Sequence, residues 1–233
     1  MFGLQFDPIL QNYPALLNGL GLTIVLSASA IVLGSTVGLV AAALRNMEPR
    51  VAGRLVQVYV EAIRNTPFLV QLYIIFFGLP SVGITISAIQ AGILAMTINL
   101  GAYSTEIFRA GIESIHRSQI EAGAALALTR LQIFRHIVMV PAIARVWPSL
   151  VSQFILIMLT SSVCSFISVE ELSGTAYTIQ SETFRNFEVY IIAGAAYLAL
   201  ALVLKTAFAA LGARLFARRR VTPIATGGPG MQP

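Results

Sequence analysis

Four stretches of this chain carry no charged side chain at all: residues 8–44, 65–105, 146–169 and 189–204. A helix that crosses hydrocarbon needs about 20 mostly apolar residues. Runs this long and this empty of charge therefore constrain the chain to lie in lipid. Composition agrees. Hydrophobic residues make up 57% of the 233 residues and charged residues 11%, against about 25% charged in an ordinary soluble domain. A soluble fold of this size would lack the charge to cover its surface.

The second run is too long for one crossing and is interrupted by Gly78, Pro80 and Gly83, a combination that marks a tight turn. The expectation is an all-α integral membrane protein with five transmembrane helices, near 19–44, 57–79, 85–105, 146–168 and 188–211. Residues 1–18 form an N-terminal segment, 19–215 the membrane domain and 216–233 a basic tail, rich in Gly and Pro and expected to be disordered.

Net charge is +5, from 15 Lys and Arg against 10 Asp and Glu. The basic residues do not gather on one polar face, as nucleic-acid binding would need, but sit between the apolar runs. Arg45, Arg50 and Arg54 follow the first run. Arg109, Arg117, Arg130, Arg135 and Arg145 lie between the third and fourth spans, and Arg214, Arg218, Arg219 and Arg220 follow the last. The segment 169–187 carries Arg185 against Glu170, Glu171 and Glu182, and the turn at 78–84 carries no charge. Basic loops stay on the cytoplasmic side, so the N-terminus is expected outside and the C-terminus in the cytoplasm. No positive charge precedes Arg45, so the first span lacks the basic region of a cleaved signal peptide.

No catalytic pattern is present: no phosphate loop, no His-Glu-x-x-His and no Gly-x-Ser-x-Gly. The single cysteine, Cys164, allows no internal disulfide and no cysteine metal cluster. His116 and His136 are read as solvated loop residues. The segment from about 106 to 145 is more informative. Apolar residues recur at Ile120, Ala124, Ala127, Leu131, Phe134 and Val138, which is helical spacing. Glu121 is expected at the start of that helix, where the helix dipole favours a carboxylate. From spacing alone the helix could lie on the membrane or against a cytoplasmic partner.

Glu121-Ala122-Gly123, followed by Ala127, Ile137 and Pro141, resembles the EAA loop of bacterial ABC importer permeases. Tyr59-Val60-Glu61-Ala62-Ile63-Arg64-Asn65-Thr66-Pro67-Phe68-Leu69-Val70-Gln71 is similar to the second-span signature of polar amino-acid permeases. Ala102-Tyr103-Ser104-Thr105-Glu106-Ile107-Phe108-Arg109-Ala110-Gly111-Ile112 is similar to the segment leading into their loop, and Thr23 and Gly38 fit the first span. The likeness covers about 16–215. It departs at Gly123, where the family has Ala, at Ala127, where it has Gly, and at Pro141, one residue late. Leu159-Thr160 stands where many relatives carry Lys-Asp.

The resemblance implies a transport subunit for a polar amino acid (His, Glu, Gln, Arg or an opine) in the bacterial inner membrane. Its loop at about 113–142 would dock on an ATPase dimer through Glu121, Ala122, Gly123, Ala127, Ile137 and Pro141. A second permease subunit, identical or homologous, would complete the pore, and an external solute-binding protein would deliver the solute near Pro80 and the acidic segment 169–187. The chain itself would need no cofactor, ATP and Mg2+ being used by the ATPase.

Polar groups within the spans are the candidates for a substrate path: Glu61, Arg64, Gln71, Asn99, Gln153, Thr160 and Ser161, with Ser162 beside them. Glu61 and Arg64 are spaced to pair on one helix, either to line a pocket or only to pack helices. Asn99 needs a partner in hydrocarbon, which could be a solute or a neighbouring helix, and the hydroxyls could instead bond their own backbone. Gly34 and Gly38 permit close helix contact with an unspecified partner. Five spans do not divide into two inverted repeats, which argues against a self-contained secondary transporter. The competing reading, a membrane scaffold or sensor subunit, would need no polar path.

Overall fold

The computed structural model describes residues 4–47 and 51–216. Every regular element among them is helical: α1 (Asp7–Leu10), α2 (Tyr13–Met47), α3 (Ala52–Arg64), α4 (Phe68–Ser81), α5 (Ala88–Glu113), α6 (Arg117–Ala125), α7 (Arg130–Gln132), α8 (Val140–Thr160), α9 (Leu172–Thr183) and α10 (Asn186–Phe216). A π-helical stretch, Ile133–Met139, leads into α8, and a 3-10 stretch, Ser161–Ile167, leaves it.

Three segments are long and apolar enough to cross a membrane: Tyr13–Arg45, Arg130–Ile167 and Asn186–Phe216. The expected span at 57–79 is instead two helices, α3 and α4, bent by 106°. Counted together they make a fourth crossing. The break falls at Asn65–Pro67. Pro67 is extended (φ −61°, ψ 140°) and caps α4. A proline disfavours helical geometry at the residue before it, which ends α3 at Arg64. The charge-free run passes through this break without a mark, so hydropathy alone missed it. The turn expected at 78–84 is narrower, because α4 runs to Ser81 and the chain reverses at Val82–Gly83. The first long helix, α2, begins at Tyr13 rather than at residue 19.

The segment expected as the third span is α5, the hub of the fold. Its buried residues include Ala91, Ala95, Met96, Asn99, Leu100, Ser104 and Phe108. A helix enclosed by other helices has less need of a lipid-facing apolar surface, which is why α5 is less apolar than α2, α4, α8 and α10.

The two glycines of α2 find their partner within the chain. A Cβ at Gly34 would sit 2.8 Å from Leu100 Cβ, and one at Gly38 would sit 2.5 Å from Ser104 Cβ. These pairs keep one offset along both helices, so α2 and α5 run parallel in close contact. Helix α8 runs antiparallel to α5, with Ala142 and Val146 against Gly111 and Cys164 against Gly92. Trp147 of α8 lies against Gly212 and donates to the Phe208 carbonyl at 2.9 Å, which seats α10.

The bundle has two distinct ends. At one lie α1, the start of α2, α9 and the start of α10, with Ile9, Ala176, Ile179, Val189 and Ala193 in a small core. At the other lie Arg45, the end of α5, α6, α7 and the start of α8, with Ile115, Ile133, Val138 and Ala142 in another. The expected tail at 216–233 lies, beyond Phe216, outside the described residues, as do Arg50, Arg218, Arg219 and Arg220.

Candidate functional site

The loop between α5 and α8 is not one continuous helix. Helix α6 stops at Ala125, and α7 restarts after Thr129, whose side chain caps it with Gln132 in a reciprocal pair. Between them Ala127 adopts φ +56°. Its N–H reaches the Ala124 carbonyl at 2.9 Å and the Leu128 N–H reaches the Gly123 carbonyl at 3.2 Å, the double-bonded helix ending that glycine ordinarily serves. The position where the resembled family carries Gly is thus the one that turns left-handed here. The apolar spacing from Ile120 to Val138 does not mark the buried side: Ile120, Ala124, Ala127 and Leu131 are exposed, Phe134 is half-buried and Val138 alone of the six is buried.

Gly123 is buried. A Cβ there would lie 2.5 Å from Ile137 Cδ1 and 3.2 Å from Ile133 Cγ1, so α6 rests directly on the π-helical turn. Pro141 accounts for that turn, since it has no N–H for the Ile137 carbonyl and its ring crowds that carbonyl. Gly123, Ile133 and Ile137 buttress α6 from behind. Glu121 and Ala122 are exposed on it, and Ala127 is exposed in the turn just beyond its end. Glu121 lies within α6 rather than at its start, and its Oε1 accepts from Arg117 Nε at 3.0 Å.

The expected Glu61–Arg64 pair does not form. Glu61 accepts from Gln57 at 2.8 Å, while the Arg64 guanidinium lies 5.4 Å from the centre of the Tyr103 ring. Gln71 and Asn99 meet instead. The buried Asn99 amide donates to Gln71 Oε1 at 3.0 Å, and Gln71 Nε2 donates to the carbonyls of Ile63 at 2.7 Å and Thr66 at 3.0 Å. Together they clamp the α3–α4 bend onto α5. Thr160, Ser161 and Ser162 donate to the Leu156, Met158 and Leu159 carbonyls, bonding their own backbone where α8 tightens.

Gln153 and Arg64 do come together. With Tyr103, Glu106 and Ser149 they line a cleft of about 280 Å3 between α3, α5 and α8. Glu106 belongs to an ion network: its Oε1 accepts from Arg45 at 2.7 Å and its Oε2 from Arg109 at 2.8 Å, and Arg109 also reaches Glu113 at 2.6 Å. Tyr103, Glu106 and Ser149 were not among the expected path residues. The spacing of Tyr103 and Glu106 puts both on one face of α5, and that signal could have found them.

At the opposite end, Glu171 is fully buried, so it is one carboxylate of the acidic segment 169–187 that does not face solvent. Its carboxylate accepts from Thr23 Oγ1 at 3.2 Å, from the Gly174 N–H at 2.9 Å and from the Tyr197 hydroxyl. Thr23 Oγ1 in turn accepts from the Leu172 N–H at 3.1 Å. One carboxylate thereby joins α2, α9 and α10. Beside it two adjoining hollows, about 550 and 380 Å3, are lined by Ser165, Ser173, Tyr177, Tyr190 and Tyr197. Glu170 is exposed.

Comparison with known proteins gives this arrangement its context. Residues 34–217 match the family described as binding-protein-dependent transport system inner membrane component. The chain is 35% identical over 205 residues to the nopaline transport system permease protein NocM of Agrobacterium fabrum, covering 84% of this chain and 85% of that one. It is 33% identical over 234 residues to the octopine transport system permease protein OccM of Rhizobium radiobacter, covering 96% of each. A solved structure described as an amino acid ABC transporter with histidines aligns at TM-score 0.83 and 33% identity, over 91% of this chain and 100% of that one. The methionine ABC transporter MetNI, in an inward-facing conformation, shares the fold at TM-score 0.71 and 19% identity, over 91% of this chain and 99% of that one. An all-helical bundle with a buttressed, outward-facing α6, matched over most of its length by permeases, places the chain in the family of inner-membrane permease components of binding-protein-dependent ABC transport systems.

Proposed function

We propose that the chain is one permease subunit of an ATP-driven importer for a polar amino acid or an opine. The observation that carries this is α6, exposed along Glu121 and Ala122 and braced from behind by Gly123 on Ile137. A braced helix presenting a carboxylate suits the transfer of force from an ATPase dimer. Opine permeases among the relatives support the substrate class.

The parallel course of α2 and α5, with α8 reversed, supports five crossings: α2, the bent α3–α4 pair, α5, α8 and α10. The excess of arginine at the α6 end supports a cytoplasmic position for that end. The N-terminus and α9 then face outward in the bacterial inner membrane, where a solute-binding protein delivers its cargo. The exposed apolar side chains of α2, α4 and α10, among them Val32, Phe77 and Leu202, face lipid and a second permease subunit. ATP is hydrolysed, with Mg2+ bound to it, by the ATPase, and the chain contributes the path.

The test is uptake by proteoliposomes containing the chain with an ATPase subunit and a solute-binding protein from the same cell. Radiolabelled L-glutamine, L-arginine and octopine are the probes. ATP-dependent accumulation of at least one is the expected result. No accumulation of any, from a complex that assembles, would overturn the importer reading.

A further inference from the structure

The cleft lined by Arg64, Tyr103, Glu106, Ser149 and Gln153 has an unbalanced charge. Both oxygens of Glu106 are taken, Oε1 by Arg45 and Oε2 by Arg109, and Arg109 is further bound by Glu113. Arg64 differs. Among the described residues it makes no ion pair, and Glu61, on its own helix, is turned to Gln57. Arg45, Arg64 and Arg109 face Glu106 and Glu113, so one positive charge is left over, and it is Arg64. The Tyr103 ring at 5.4 Å holds that guanidinium by cation–π attraction. On the facing helix, the side chains of Ser149 and Gln153 make no hydrogen bond among the described residues. The cleft thus offers a pre-positioned guanidinium fork on one wall and free neutral donors and acceptors on the other.

We propose that this cleft is an inner-end station for the carboxylate of the transported solute, a reading that rests on the importer function above. Arg64 binds the carboxylate through two parallel N–H bonds, the geometry a guanidinium supplies and an ammonium does not. Ser149 and Gln153 take the solute's amide, amine or hydroxyl groups. Glu106 is not a counter-charge for the solute's ammonium, because its two arginines already hold it. The station therefore selects for a carboxylate and tolerates different side chains, as a carrier of amino acids or opines would need.

The experiment uses the reconstituted complex carrying Arg64→Gln, Arg64→Lys or Gln153→Ala. It measures KM and kcat for uptake of L-arginine, L-glutamine and octopine. Agmatine, which is arginine without its carboxylate, is tested as a competitor. Losing a charge-assisted pair is worth about 10- to 100-fold, so Arg64→Gln should lower uptake efficiency by that factor while the ATPase still co-purifies. Arg64→Lys should recover only part of the loss, Gln153→Ala should lose less, and agmatine should compete poorly with the wild type. Wild-type kinetics in Arg64→Gln would overturn the station and leave the importer reading standing. Loss of permease pairing in Arg64→Gln, seen by native mass, would also overturn it, by giving the carboxylate to the second subunit. A wild type that takes up none of the three probes overturns the importer reading and the station with it.

Discussion

Glu171 and Glu106 are both carboxylates that join distant helices, and they are held in opposite ways. Glu171 is dry and is satisfied by neutral donors alone: two hydroxyls and a backbone N–H. Glu106, with 20% of its side chain exposed, sits between two arginines that are themselves 27% and 32% exposed. A dehydrated group depends on every bond it makes, because losing one leaves a buried polar atom unpaired. A half-exposed ion pair can exchange its partner for water at little cost. The α9 end of the bundle is thereby locked, and the opposite end, where α6 and the Arg64 cleft lie, is left free to rearrange. That asymmetry suits a bundle that must respond to a motor at one end.

The sharpest way to break the comparison is to remove the two carboxylates in turn. Glu171→Ala strands Thr23 and Tyr197 and removes the cap of α9. It should cost about 3 kcal/mol, read as a lower Tm in detergent. Glu106→Ala should cost about 1 kcal/mol or less, and high salt should shrink even that, since the Debye length falls to about 3 Å at 1 M. Equal losses at both ends would refute the contrast.

Next comes the brace under α6. Gly123→Val should cost roughly 2 kcal/mol by overpacking Ile137. Gly123→Ala should be close to neutral, because the atom it meets first is the far end of the flexible Ile137 side chain and alanine gains helix propensity over glycine. A small effect of the opposite sign to Gly123→Val is expected at Ala127→Gly. It relieves a left-handed alanine but gives the unfolded chain more freedom, so a gain of about 0.5 kcal/mol is expected. Thermal unfolding of the purified permease checks both.

How much of this could be read beforehand follows from what each signal depends on. The charge-free runs placed the long helices because exclusion of charge is a local property of the chain. The break at Pro67 was written in Asn65-Thr66-Pro67, yet the continuous run hid it. The α6 segment was readable as helical from its spacing, but not the left-handed Ala127 that ends it, which depends on backbone geometry that spacing does not report. The burial of Glu171 was not legible because a sequence shows polarity and not burial, and its partners Thr23 and Tyr197 are far away in the chain. The Arg45–Glu106 pair was hidden for the same reason. The Glu61–Arg64 spacing was right for a pair, but Gln57, four residues before Glu61, took the carboxylate instead. Asn99 was read as needing a partner, either a solute or a neighbouring helix, and in the structure Gln71 is bonded to it.

The central claim is that α6 is the surface through which an ATPase drives this bundle. The most direct test is to purify the tagged chain from its native membrane in mild detergent, alongside Glu121→Lys, and to identify the proteins that come with it by mass. Glu121 is exposed and paired only to Arg117 on its own helix, so the substitution should leave the fold intact. The account predicts that an ATPase with a phosphate loop co-purifies with the wild type and is lost from Glu121→Lys. Recovery of the same ATPase in equal amount with both, or of none with either, would contradict it.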